Sequence, residues 1–107
     1  MPKRKRFRHT DVPSVLQSNI KGDDEATCYV SGFHVNLDFH HIFNGAYKHK
    51  SEEDGFWVYL RHDLHMKLHD TVEGHNYWLT LKQKCQEYYE RTHTREQFIK
   101  RYGRNYL

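Results

Sequence analysis

The chain is poor in the features that mark secreted and membrane proteins. Its 107 residues include only two cysteines, Cys28 and Cys85, and two prolines. Two cysteines cannot build a disulfide framework or a four-cysteine zinc site, so we expect buried thiols in a reduced, cytoplasmic setting. There is no run of about 18 apolar residues for a membrane span. The first ten residues hold no apolar stretch, so we also expect no secretory signal.

Length and composition bound the fold. A chain of 107 residues with 36% hydrophobic and 15% aromatic residues has room for one small domain. We predict a single domain over residues 11–107, preceded by a flexible basic arm at residues 1–10. The aromatic core is expected to contain Phe33, Phe39, Phe56, Trp57, Tyr59 and Trp78.

The net positive charge of the chain comes from that arm. The arm contains five cations and no acid: Lys3, Arg4, Lys5, Arg6 and Arg8. Removing these five from the 17 basic residues leaves 12, against 14 acidic ones. Such an arm can neutralise several phosphates of a nucleic acid, or it can be a solvated tail. We expect it to contact DNA.

Local patterns predict an α+β fold. Residues 35–43 alternate like a strand, and the aromatic and branched residues 56–60 form a second strand, antiparallel to the first. Residues 44–55 are expected to be a polar loop. Helical spacing follows at residues 62–69 and 76–91.

The end of the chain is expected to form one more helix. Thr94 and Gln97 match a capping box, and Gly103 is a typical stop, so the helix spans about 95–102. A ββα unit over about 28–70 is therefore followed by helices over about 76–102.

Four of the ten histidines form an ordered pattern. His40 and His41 are neighbours on the first strand and point to opposite faces. His65 and His69 are four residues apart on a helix and share one face. If His40 packs against that helix, three imidazoles converge and leave a coordination position open for water or substrate. Nitrogen ligands favour zinc, nickel, cobalt or manganese over magnesium.

Two neighbours complete the candidate site. His41 can act as a general base, because an imidazole titrates near neutral pH. Asp38 lies two residues before His40, on the same strand face, and can orient a ligand imidazole through a hydrogen bond.

A wider pattern surrounds these histidines. Its segments are Cys28-Tyr29-Val30-x-Gly32, Asn36-Leu37-x-x-His40-His41-Ile42-Phe43-x-Gly45, Ser51-Glu52, and Gly55-x-x-Val58-Tyr59-Leu60 before His65 and His69. With it, residues 28–69 resemble the HNH, or ββα-metal (His-Me finger), endonuclease superfamily. Within that superfamily the chain resembles a group of small phage and prophage proteins, and its histidine order is similar to that of the nuclease colicins.

The resemblance implies a function and a role for each histidine. It implies a ββα-metal core and a metal-dependent endonuclease that hydrolyses DNA phosphodiester bonds in a bacterial host. One divalent ion (zinc, nickel, manganese or magnesium) would be held by His40, His65 and His69, and His41 would activate water.

The chain departs from this family first at its cysteines. Many members bind a structural zinc with two C-x-x-C pairs. Here Cys28 is followed by Ser31, and the second pair falls on Arg61 and Leu64. The aromatic core is expected to replace that zinc in holding the domain together.

The second departure is the asparagine of the superfamily's name. By spacing it falls near Phe56, where none stands, and Asn44 and Ser51 are the alternatives. Two other functions therefore stay open. One is a catalytically degenerate nucleic-acid-binding or protein-interaction module, and the other is a protein that acts on a host factor without contacting DNA. Lys100, Arg101 and Arg104 are either a phosphate-contacting patch or solvated surface.

Overall fold

The computed structural model describes residues 10–20 and 25–107, so the five cations of the basic arm lie outside the described residues. The described part is an α+β fold with one two-stranded antiparallel sheet, as predicted, and it has four α-helices, one more than predicted. Its elements are β1 (Leu37–His41), a 3-10 turn (Gly45–Tyr47), α1 (Lys48–Glu53), β2 (Trp57–Arg61), α2 (His62–Asp70), α3 (Val72–Tyr89) and α4 (Arg95–Tyr102).

The two strands pair in a single register, with His40 opposite Val58 and His41 opposite Trp57. Residues 57–60 of β2 are all buried, so this strand is covered on both faces. The segment before residue 20 covers it with side chains: Ser14 Oγ donates to the Trp57 carbonyl, and Gln17 Oε1 accepts from the Tyr59 amide. These side chains satisfy the outer edge of β2 without forming a third strand.

The connection between the strands is partly helical, so the prediction of a plain loop was wrong. It forms α1, whose sequence KHKSEE has no apolar periodicity to reveal it. Ser51 is fully buried there; its Oγ accepts from the Phe43 amide at 3.1 Å and donates to the Phe56 carbonyl. A tertiary contact therefore fixes a helix that local preference does not predict.

An aromatic core joins the sheet to the last helix. Phe43 packs against Tyr102 with ring centroids 4.3 Å apart and against Phe98 at 5.7 Å. The expectation for Phe33 was wrong, because it is 52% exposed and lies under the Arg61 guanidinium. Phe56, Trp57, Tyr59 and Trp78 are buried as expected, and Phe39 is half-buried.

α2 and α3 approach each other closely at Gly74. α2 ends before Gly74, as predicted, but α3 starts at Val72 rather than near residue 76, with the Thr71 side chain capping the Gly74 amide. A Cβ at Gly74 would collide with the backbone of Lys67 and Leu68, so only glycine allows this approach. Trp78 Nε1 donates to the Ile42 carbonyl at 2.8 Å and so fixes α3 to the end of β1.

The last helix has the predicted ends. Thr94 and Gln97 form the capping box, and Gly103 follows the helix in the left-handed conformation. Arg101 makes two hydrogen bonds to Asp54 and thereby ties α4 to the end of α1. No helix in the described ranges is both long and apolar enough to cross a bilayer.

Candidate metal centre

Three histidines come together between the sheet and α2. His40 lies on β1, is 2% exposed and faces α2, whereas His65 and His69 lie one turn apart on α2. α2 begins directly after β2 without an intervening loop. The sheet therefore sets where this helix starts, and the four-residue spacing places both of its imidazoles on one face.

The candidate ligand nitrogens of the three histidines lie close together. Nε2 of His65 is 3.2 Å from Nδ1 of His40 and 3.2 Å from Nε2 of His69. All three candidate ligand atoms lie within 4.8 Å of one another. We call this set, His40, His65 and His69, the histidine cluster.

Asp38 sets the proton position on the central ring. Its Oδ2 lies 2.9 Å from Nδ1 of His65 and 2.7 Å from Nδ1 of His62. A carboxylate accepts hydrogen bonds, so the His65 proton belongs on Nδ1 and the lone pair on Nε2, facing the cluster. Burial raises the pKa of Asp38, but the hydrogen bonds from His65 and His62 outweigh it and hold the pKa below its usual value.

The spacing of the nitrogens suits a shared cation better than hydrogen bonding alone. The single lone pair at Nε2 of His65 can accept a hydrogen bond from one N–H donor, yet two ring nitrogens lie close to this atom. These two nitrogens are Nδ1 of His40 and Nε2 of His69. Two nitrogens that bind one zinc ion at about 2.0–2.1 Å with a tetrahedral angle lie about 3.3 Å apart. Nε2 of His65 lies at nearly this distance, 3.2 Å, from each of the other two nitrogens.

Burial lowers the pKa of two of the three imidazoles, those of His40 and His69. Burial lowers the pKa of His40 to about 2, with further contributions from His65 and His69. Burial, together with His65, also lowers the pKa of His69. Metal ligation requires unprotonated imidazole nitrogens. These two rings are therefore ready to bind a cation at neutral pH without first losing a proton.

Trp78, on α3, packs against the histidine cluster. Its ring centroid lies 4.9 Å from that of His40 and 4.8 Å from that of His69, both edge-to-face. His75 Nε2 lies 2.6 Å from the His69 carbonyl oxygen and donates to it. These contacts fix the orientation of the rings and separate the buried side of the cluster from solvent.

His41 lies apart from the cluster. It points to the other strand face, as alternation requires, and its Nε2 lies 2.6 Å from Oε1 of Glu52 on α1. Both side chains are largely buried, at 18% and 15% exposure. The His41 ring also packs edge-to-face on Phe39 at 5.0 Å. Glu52 thus holds this imidazole in one orientation.

The sequence-predicted site residues fall into three groups. Asp38 and the histidine cluster come together; His41 is adjacent in sequence but joins a separate pair with Glu52; the basic arm lies outside the described residues. Sequence reasoning assigned no role to Glu52 or His62. Glu52 is part of the Ser51-Glu52 segment that contributes to the resemblance described above. Its contact with His41 joins residues eleven positions apart, and no local sequence pattern indicates such a contact.

Comparison with known proteins gives no relative. No protein-family model, no curated protein and no solved structure matches the chain.

Proposed function

We propose that the chain is a metal-dependent endonuclease that hydrolyses DNA phosphodiester bonds. The observation that carries the proposal is the histidine cluster, in which three nitrogens from two elements converge and a carboxylate fixes the proton of the central ring. When bound, a divalent ion supplies Lewis-acid stabilisation of the charge that develops at phosphorus and on the leaving oxygen.

The chain's own residues have separate tasks in this proposal. His40, His65 and His69 hold the ion, and Asp38 orients His65. His41 accepts the proton of the attacking water. A proton on its Nε2, donated toward Glu52, places the lone pair of the neutral ring on Nδ1, so the carboxylate stabilises the imidazolium that forms.

The fold also supports a ββα-metal core built from β1, β2 and α2. These elements follow one another in the order that the resemblance implies, with α1 inserted between the strands. One position from each cysteine pair of that superfamily also meets here: the Arg61 backbone donates a hydrogen bond to Cys28, and the Ser31 amide lies 3.4 Å from Cys28 Sγ. Burial raises the pKa of Cys28, but hydrogen bonds from Ser31 and the Arg61 backbone outweigh it and lower the pKa.

A plasmid-nicking assay tests the proposal. Supercoiled DNA is incubated with the protein and zinc, nickel, manganese or magnesium, and the wild type is compared with His41→Ala. We expect the variant to lose about 10²–10⁴-fold in rate, the usual contribution of a general base. The exposed His34, replaced by alanine, is the matched control. Equal rates for the wild type and His41→Ala would refute the role of His41.

A second candidate is a non-catalytic nucleic-acid-binding module that keeps the metal. It is favoured by one observation: the candidate base points to the strand face opposite His40 and is engaged by Glu52. This module takes up one ion and binds DNA, but it nicks no plasmid with any metal, and its DNA affinity is unchanged in His41→Ala.

A further inference from the structure

Two cations, Lys82 and Arg104, contact the ring of Tyr106, and Lys82 also contacts Trp78 beside the histidine cluster. Lys82 follows Trp78 by one helical turn on α3, and its Nζ lies 4.5 Å from the Trp78 ring centroid and 5.1 Å from that of Tyr106. The Arg104 guanidinium lies 4.8 Å from the same Tyr106 ring. Among the described residues, no acidic side chain forms an ion pair with either cation.

The fold holds these charges near each other. The last residues of the chain are fixed on α3 by the fully buried Gln86, whose Oε1 accepts from the Tyr106 amide and whose Nε2 donates to Asn105 Oδ1. Gln83 Nε2 donates to the Tyr106 carbonyl at 2.9 Å. This tail places Arg104 near Lys82. Burial and then the charge of Arg104 lower the pKa of Lys82.

The other cations of this region are already neutralised or lie elsewhere. Arg101, which the sequence grouped with Arg104, is engaged by Asp54 at 2.7 Å and lies 3.9 Å from Glu53. Lys84 lines a groove on another side of α3, together with Val15 and Tyr88. Lys82 is therefore half-buried and Arg104 exposed, and neither forms an ion pair with an acid in the part of the chain that the structure describes.

We propose that Lys82 and Arg104 bind a backbone phosphate of the nucleic acid whose scissile phosphate is presented to the histidine cluster. An anion between or beside these cations relieves their repulsion, and the partly dehydrated Lys82 gives up little water to bind it. Trp78 connects the two sites, because it contacts both His40 and Lys82. The identity of the ligand rests on the proposed function.

The experiment measures DNA binding in EDTA, so that cleavage does not enter. A fluorescent duplex is titrated with the wild type, Lys82→Gln, Arg104→Gln and the double variant at several salt concentrations. Each phosphate contact contributes about 0.9 to the slope of log K against log salt. Because the two cations share one phosphate, we expect the double change to reduce the slope by about 0.9 and each single change to reduce it by less. Lys84→Gln, with the same charge change on the same helix, should keep the wild-type slope.

Three results overturn the inference: a double variant with the wild-type slope, a Lys84→Gln effect equal to that of Lys82→Gln, or a wild type that does not bind DNA. If Lys82→Gln does not fold, the slope measured for Arg104→Gln decides the test, because Arg104 is exposed.

Plasmid nicking by the same proteins separates the two proposals. A wild type that binds but does not nick contradicts the nuclease and leaves the phosphate pair to be decided by the slopes. A nicking wild type with an unaffected double variant contradicts the phosphate pair alone.

Discussion

Nδ1 of His65 lies 2.9 Å from Oδ2 of Asp38, and this contact determines what the opposite nitrogen of the ring can do. With the proton held by the carboxylate, Nε2 presents a lone pair to the space shared with His40 and His69. The same carboxylate oxygen also accepts from His62. A single carboxylate on β1 therefore prepares the α2 side of the cluster for a cation.

Removing the charge of Asp38 should weaken metal binding. Asp38→Asn keeps the shape of the side chain but loses the carboxylate that fixes the His65 tautomer. We expect zinc affinity, measured by calorimetry, to fall about 10–100-fold, the usual effect of losing such a partner. The control is Asp63→Asn on α2, where the acid pairs with Arg61 at the surface; it should leave the affinity unchanged. An unchanged affinity in Asp38→Asn would show that the tautomer is fixed by other means.

Glu52 should matter for nicking but not for metal uptake. Glu52→Gln removes the charge that lies 2.6 Å from His41 Nε2, so the imidazolium formed during proton transfer loses its stabilisation. We expect a loss of nicking rate smaller than that of His41→Ala, with zinc stoichiometry unchanged. The neighbouring Glu53→Gln, whose side chain is 66% exposed, is the control. A Glu52→Gln protein that nicks at the wild-type rate would rule out this role.

The metal-free protein should lose stability in mild acid because of His40. Burial lowers its pKa to about 2, whereas in the unfolded chain the group titrates near 6.5. The unfolded state therefore binds more protons below pH 6.5. The unfolding free energy should fall there by up to about 1.4 kcal/mol per pH unit from this group, and above that pH His40 has no effect.

Urea unfolding in EDTA at pH 7.5, 6.5 and 5.5 measures this effect. His40→Asn removes the titrating group, so its stability should decline less steeply between pH 6.5 and 5.5 than that of the wild type, whatever its absolute value. The lowered pKa of Asp38 acts only near and below pH 4 and does not enter this window. Parallel curves for the two proteins would contradict a buried neutral His40.

Gly74→Ala should destabilise the protein although it lies within a helix. Helix propensity alone favours alanine by about 1 kcal/mol, but the added Cβ would collide with the Lys67 carbonyl and with Leu68 on α2. We expect a net loss of about 1–3 kcal/mol in unfolding free energy, measured by urea denaturation, together with weaker zinc binding as α2 is displaced. Thr80→Ala, at an exposed position of α3, should cost far less. A stabilised Gly74→Ala protein would show that the helices separate easily.

Sequence patterns were sufficient where the determinants are local. The α2 pair His65 and His69 follows from helical spacing, and the Thr94 capping box follows from residues three apart. The alternation of β1 correctly places His40 and His41 on different faces. These features depend on neighbours within one turn or one strand, so the chain displays them directly.

Long-range contacts set what the sequence did not reveal. α1 forms around the buried Ser51, which joins Phe43 to Phe56. Gln17 satisfies the edge of β2 from 42 positions away. Glu52 reaches His41 because α1 folds back on β1. Each depends on tertiary geometry, and a polar residue in a polar stretch gives no sign of the partner that it will meet.

The central claim is that three imidazoles from β1 and α2 bind one cation. A crystal grown with zinc and measured at the zinc absorption edge tests it most directly. We predict one anomalous peak within about 2.0–2.3 Å of Nδ1 of His40, Nε2 of His65 and Nε2 of His69, and no such peak in His65→Ala. A wild-type crystal without a peak at this position, or with zinc held by other residues, would contradict the account.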